Sequence, residues 1–175
     1  MRSDRIKSSF RIGRVVEQRW LSAVPESIKS SPEDDKKKHI DFYVDLPSHS
    51  FSVDVKGNNP PHEIWLEIKN VNGDTGWLYG EATHIAFDIP EMGGIVMVLS
   101  EVLREYVANN VKKEFVTKRK AYKKLYTRKD RSDVITYLTI TDLLSLPHKV
   151  VTYSNKYNHP VTGEQIQFND RSRDS

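Results

Sequence analysis

Between residues 39 and 100 the chain is written as short strand-like segments separated by turn clusters. That punctuation restricts the fold more than any other feature. "HIDFYV" (His39–Val44), "FSVDVK" (Phe51–Lys56), "EIWLEIKNV" (Glu63–Val71), "HIAFDI" and "GGIVMVLS" (Gly93–Ser100) are rich in β-branched and aromatic residues. "DLPSHS", "GNNPP" and "NGDTG" interrupt them with the residues that turns require. The first two segments predict a hairpin. Ahead of them, "SFRIGRVVEQRWLSAV" (Ser9–Val24) places Ile12, Val15, Val16, Trp20 and Val24 on one helical stripe, and Pro25 limits that helix. Residues Pro25–Lys38 predict a polar loop. Downstream, Ser100–Phe115 predicts a helix capped by Ser100, followed by a basic helix with Tyr122, Leu125 and Tyr126 on its inner side. A strand "VITYLTI", a short helix from Thr141 or Asp142 to Pro147, and a strand "KVVTY" complete the pattern. The expectation is one α/β domain over residues 1–155, with a mixed central sheet of four or five strands flanked by helices. Residues 156–175 lose periodicity and predict a flexible tail.

Composition narrows the chemistry. The 175 residues contain no cysteine, which excludes disulfides and zinc–thiolate sites. The six histidines form no close pair, so a catalytic metal would rest on carboxylates, which favours magnesium or manganese. No run has the apolar length of a membrane span, and the basic start lacks the apolar centre of a signal peptide. The expectation is a cytoplasmic protein without membrane association. Net charge is only +3, yet residues 104–131 carry eleven Lys/Arg against three acids, a local +8 that leaves −5 elsewhere. A polyanionic partner suits that asymmetry; a solvated face accounts for it equally well.

The acid–apolar–lysine pattern occurs twice, as Asp54-Val55-Lys56 and Glu67-Ile68-Lys69. On a strand, residues two apart share a face, so each copy sets a carboxylate beside an amine. Phosphodiester hydrolysis needs such a set: oxygen ligands for a divalent cation, a group that orients or deprotonates the attacking water, and positive charge against the phosphate. Two registers are available. Asp41 leads Asp54-x-Lys56, or Asp54 leads Glu67-x-Lys69. The acids are 13 residues apart in both, so spacing does not choose.

In its order, "GRVVEQRW", "KHIDFYV", "FSVDVKG", the chain resembles the PD-(D/E)xK nuclease superfamily. The resemblance runs from Gly13 to Phe87, and the later "WLEIKNVNGDTGWLYGEATHIAFDI" is similar to phage-type members. It implies a restriction-endonuclease-like fold and a metal-dependent DNA endonuclease using Mg2+ or Mn2+, in the host cytoplasm if phage-encoded, with a homodimer as one form such enzymes take. It implies Asp41 and Asp54 as metal ligands, the Val55 carbonyl as a further ligand, Lys56 as the water-orienting group, and Glu17 completing the site. The first register is preferred because Glu17 precedes Asp41 by 24 residues on the preceding helix. Glu67 and Lys69 are then accessory.

Each residue also has a plainer reading. Asp54 and Lys56 suit an exposed hairpin face, and Glu17 suits an ion pair with Arg14 or a nearby lysine. Trp65 and Trp77 read as packing aromatics rather than base-stacking platforms. Lys118, Arg119, Lys120, Lys123, Lys124 and Arg128 are candidate DNA contacts, joined by Lys129 and Arg131; they position a phosphate backbone without reading sequence. The alternative to an enzyme is a non-catalytic nucleic-acid binder that keeps the same fold.

Overall fold

Val16, Trp20 and Ala23 recur at helical spacing and form the buried stripe of helix α1 (Arg2–Ala23), and Val24 is buried just past its end. The computed structural model describes residues 2–58, 60–153 and 168–169, and the side chains of 12–58 and 60–153. Ile12 and Val15, expected on the α1 stripe, lie largely outside it. The middle of the helix rides over Gly57, where a Cβ would come within 2.8 Å of Ile12 and 2.9 Å of Val16. Only glycine lets helix and strand approach so closely there.

Six strands form the central sheet: β1 (Ser27–Lys29), β2 (Phe42–Asp45), β3 (Ser50–Gly57), β5 (His84–Ile89), β6 (Gly94–Leu99) and β10 (His148–Thr152), in that order. A two-residue strand, β11 (Phe168–Asn169), pairs with the β10 edge. All pairs are antiparallel except β3 with β5, so the sheet is mixed. The expected four or five strands are thus exceeded. The surplus includes β1, which together with the short helix α2 (Pro32–Lys38) occupies the segment expected to be a loop. Ser31 caps α2 by accepting from Asp34 N, Pro32 starts it, and His39 closes it in the left-handed conformation at φ 54°. That closure is why β2 begins at Phe42 rather than at His39.

The third predicted strand, β4 (Glu63–Lys69), leaves the central sheet altogether. It pairs with β9 (Val134–Thr139) in a separate two-stranded ribbon. Helix α3 (Ser100–Asn110) stops five residues before the expected end. Ser100 does not cap it; its hydroxyl donates to the Ala82 carbonyl at 2.6 Å. The last residues of that expected helix form β7 (Lys112–Phe115), and those expected as a basic helix form a 3-10 turn at Lys118–Lys120 and β8 (Lys124–Leu125). Helix α4 (Ile140–Leu144) begins with a capping box between Thr139 and Asp142.

The sheet separates two cores. On one face α1 packs on Phe42, Val44, Phe51, Val53 and Val55. On the other, Ile85, Phe87, Val96 and Val98 meet Ile64 and Leu66 of β4, Leu138 of β9, Leu103 of α3 and Leu143 of α4. Strand alternation then settles the motif: with Val53 and Val55 turned to α1, Asp54 and Lys56 face the ribbon. No helix among the described residues is long and apolar enough to cross a membrane. Apart from β11, the expected tail lies outside the described residues.

Candidate active site

Phe42 pairs with Val53 across the β2–β3 ladder, and one further step brings Asp41 opposite Asp54. Asp41 N still donates to Val53 O at 2.9 Å, so the extended pairing continues through it. Opposed residues on antiparallel strands share a face. Two carboxylates therefore meet at the end of the hairpin. Asp41 Oδ2 accepts a hydrogen bond from Val55 N at 2.7 Å. Asp54 is 1% exposed; its Oδ1 lies 2.6 Å from Lys56 Nζ, and its Oδ2 is buried with no hydrogen-bond partner.

Burial pushes the Asp54 carboxyl up to about 8, and Asp41 adds to that, against the opposing pull of Lys56. For Lys56 burial opposes the charge, but Asp54, Asp41 and Glu67 outweigh it and raise its affinity for the proton. Lys56 also sits over the Trp77 ring, 5.1 Å from its centroid. An ammonium held by carboxylates and an aromatic face stays charged and stays in place.

The second copy of the motif divides. Glu67 lines the same cleft as Lys56, and burial raises its carboxyl above the usual range while Lys56 and the Trp77 backbone pull it down. A β-bulge falls between Glu67 and Lys69: two residues advance on β4 for one on β9. The shared-face rule fails across the bulge, and exposed Lys69 is absent from the cleft lining. Gly76 secures this turn, because a Cβ there would lie 2.4 Å from the Glu67 carbonyl.

The cleft measures about 860 Å³ and is lined by Glu17, Asp41, Val55, Lys56, Asn58, Trp65, Glu67 and Trp77, with Lys118, Arg128, Lys129 and Arg131 on its basic side. Glu17 reaches it from α1, which packs on the sheet face opposite to Asp54 and Lys56. Its carboxylate is engaged by Lys29, the plainer of the two roles expected for it. Arg128 is anchored by fully buried Asp133, which accepts from both its backbone and its side chain.

The expected basic array is only partly one surface. Lys118 lines the cleft, 5.9 Å from the Trp65 ring centroid, but exposed Arg119 and Lys120 do not. Lys123 is bound 2.7 Å from Asp142 and lies over the Tyr106 and Tyr122 rings, and Lys124 pairs with Glu114 at 2.8 Å. Trp65, expected like Trp77 to be a packing aromatic, lines the cleft. The alternation Glu63-Trp65-Glu67, which sets it on the face of Glu67, was the available signal.

Among the described residues no group of three or more metal-ligating side chains converges. Asp41 and Asp54 nevertheless fit a hard divalent cation. Magnesium commonly takes one or two protein carboxylates and fills its remaining positions with water and phosphate oxygens. The unpartnered Asp54 Oδ2 supplies a buried acceptor that a cation would satisfy. No family model, curated protein or solved structure matches this chain.

Proposed function

We propose that the protein is a Mg2+- or Mn2+-dependent deoxyribonuclease of restriction-endonuclease-like fold that hydrolyses phosphodiester bonds within DNA. The observation that carries the reading is the opposed pair Asp41–Asp54 beside Lys56: Asp41 and Lys56 line a basic-sided cleft, and Asp54 lies buried behind them with one oxygen unpartnered. A bound divalent cation would polarise the scissile phosphate and its attacking water. Asp41 and Asp54 would hold it, with the Val55 carbonyl as a further oxygen. Lys56, kept protonated by its neighbours, orients water and offsets charge on the phosphate rather than acting as the base. Glu67, whose burial strengthens its hold on a proton, is the cleft carboxylate suited to receive the proton of the water. Lys118, Arg128, Lys129 and Arg131 supply phosphate contacts along the same cleft.

One observation favours the binding-only alternative: the Lys56 ammonium already satisfies Asp54 Oδ1, as a cation would. Manganese titration separates the two. An enzyme gains thermal stability with manganese and cuts plasmid or oligonucleotide DNA; a pure binder retains DNA without either response.

A further inference from the structure

The β4–β9 ribbon has two faces of different character. Ile64, Leu66 and Leu138 fill the core, so the ribbon is anchored without help from its other face. That outer face carries Trp65 opposite Tyr137, with ring centroids 5.0 Å apart, and Tyr126 stands edge-on to Trp65 at 6.4 Å. Trp65 is half-buried and belongs to neither core cluster. Its indole N–H donates to Glu63 at 2.7 Å, which fixes the plane of the ring.

Trp65 and Tyr126 line the same cleft as Asp41 and Lys56. Trp65 precedes Glu67 by two residues on one strand face, a separation of roughly 7 Å along the strand. A ring held in a fixed plane, with a cation above it at Lys118, beside a phosphate-hydrolysing site, matches what an extended nucleic-acid strand needs: a surface for a base and charge for its backbone. Bases within a duplex are already stacked and closed to such a ring, whereas an unpaired base is free to occupy it.

We propose that the Trp65–Tyr126 wall is a stacking platform for an unpaired nucleotide, which makes single-stranded DNA the preferred ligand of the cleft. Its role in cleavage rests on the nuclease reading; the binding preference does not. Trp65 is here a positioning and specificity residue for the strand, without contact to the reacting atoms.

The test is fluorescence anisotropy in EDTA with a labelled oligothymidylate and a blunt hairpin duplex of equal phosphate number. The wild type should bind the oligothymidylate more tightly. Trp65→Ala should weaken that binding about tenfold and leave duplex binding within about twofold, the size of effect one base–aromatic stack confers. Trp65→Phe should recover most of the loss. Tyr126→Leu, which keeps bulk without a ring face, should reproduce part of it and serves if Trp65→Ala fails to fold by thermal melt. Equal losses for both DNAs, no loss in either variant, or tighter duplex binding by the wild type would overturn the proposal. Cleavage of the same DNAs by the wild type with manganese is scored separately. Intact single-strand preference without cleavage removes the nuclease reading alone, and duplex cleavage without that preference removes the platform alone.

Discussion

Lys56 holds Asp54 by one oxygen only. Its Nζ lies 2.6 Å from Oδ1, while Oδ2 is buried without a hydrogen-bond partner. A structural ion pair in a protein interior ordinarily satisfies the remaining acceptor, because leaving it bare costs stability. The imbalance leaves Asp54 Oδ2 beside Asp41, where it keeps a proton more readily than an ordinary carboxylate and where a cation would satisfy it, and it makes the first prediction one of stability.

Asp54 carries a folded-state value of about 8 against an ordinary 3.8. Between those values the folded chain keeps a proton that the unfolded chain has lost. Stability from this group is therefore greatest below pH 4, falls as pH rises to about 8, and is level above. Asp54→Asn cannot titrate, so its melting temperature should fall less steeply from pH 5 to 8 in EDTA and exceed that of the wild type at pH 8. The same variant should cut no DNA. A variant with the wild-type pH slope would show that Asp54 is not held as described.

Asp41 separates structure from chemistry. Asp41→Ala strands the buried Val55 N–H and should destabilise the protein by about 1–3 kcal/mol. Asp41→Asn keeps an acceptor for that N–H, so denaturant unfolding should lie close to wild type. Cleavage should be lost in both. Activity in Asp41→Asn would remove Asp41 from the ligand set.

The two lysines of the doubled motif should differ. Lys56→Met should abolish cleavage, whereas Lys69→Met should stay within about twofold, since exposed Lys69 lies beyond a bulge and away from the cleft. Single-turnover rates on one oligonucleotide decide this. Equal losses would restore the second register.

The basic residues should also divide. Lys123→Met breaks a partly buried pair with Asp142 and two ring contacts and should cost about 1–2 kcal/mol, above the usual value for a surface pair. Lys129→Ala and Arg131→Ala should leave the melt unchanged while weakening DNA binding and lowering its salt slope by about 1 each. A stable Lys123→Met that loses DNA affinity would reverse the assignment.

Much of the site was legible because strand periodicity is local. Asp41 and Asp54 lie in two segments joined by a short turn, and the hairpin register alone sets them opposite each other. What escaped was decided by distant partners. The bulge that turns Lys69 away comes from pairing with β9, some 65 residues downstream, which no local pattern near Glu67 reports. The basic segment has helical spacing at Tyr122, Leu125 and Tyr126, yet the β9 backbone claims its hydrogen bonds: Lys123 N donates to Tyr137 O at 3.1 Å and Tyr126 N to Ile135 O at 2.8 Å. Tertiary pairing overrode propensity there. Glu17 had the right order in sequence and does line the cleft, but its partner Lys29 comes from β1, a strand the sequence pattern did not indicate.

The most direct measurement is a manganese titration of the wild type and Asp54→Asn, followed by thermal melt and by cleavage of single-stranded, duplex and branched DNA. Manganese should raise the wild-type melting temperature at pH 8 and support cleavage, and Asp54→Asn should show neither response. A wild type that neither gains stability with manganese nor cuts any of these DNAs would contradict the nuclease reading.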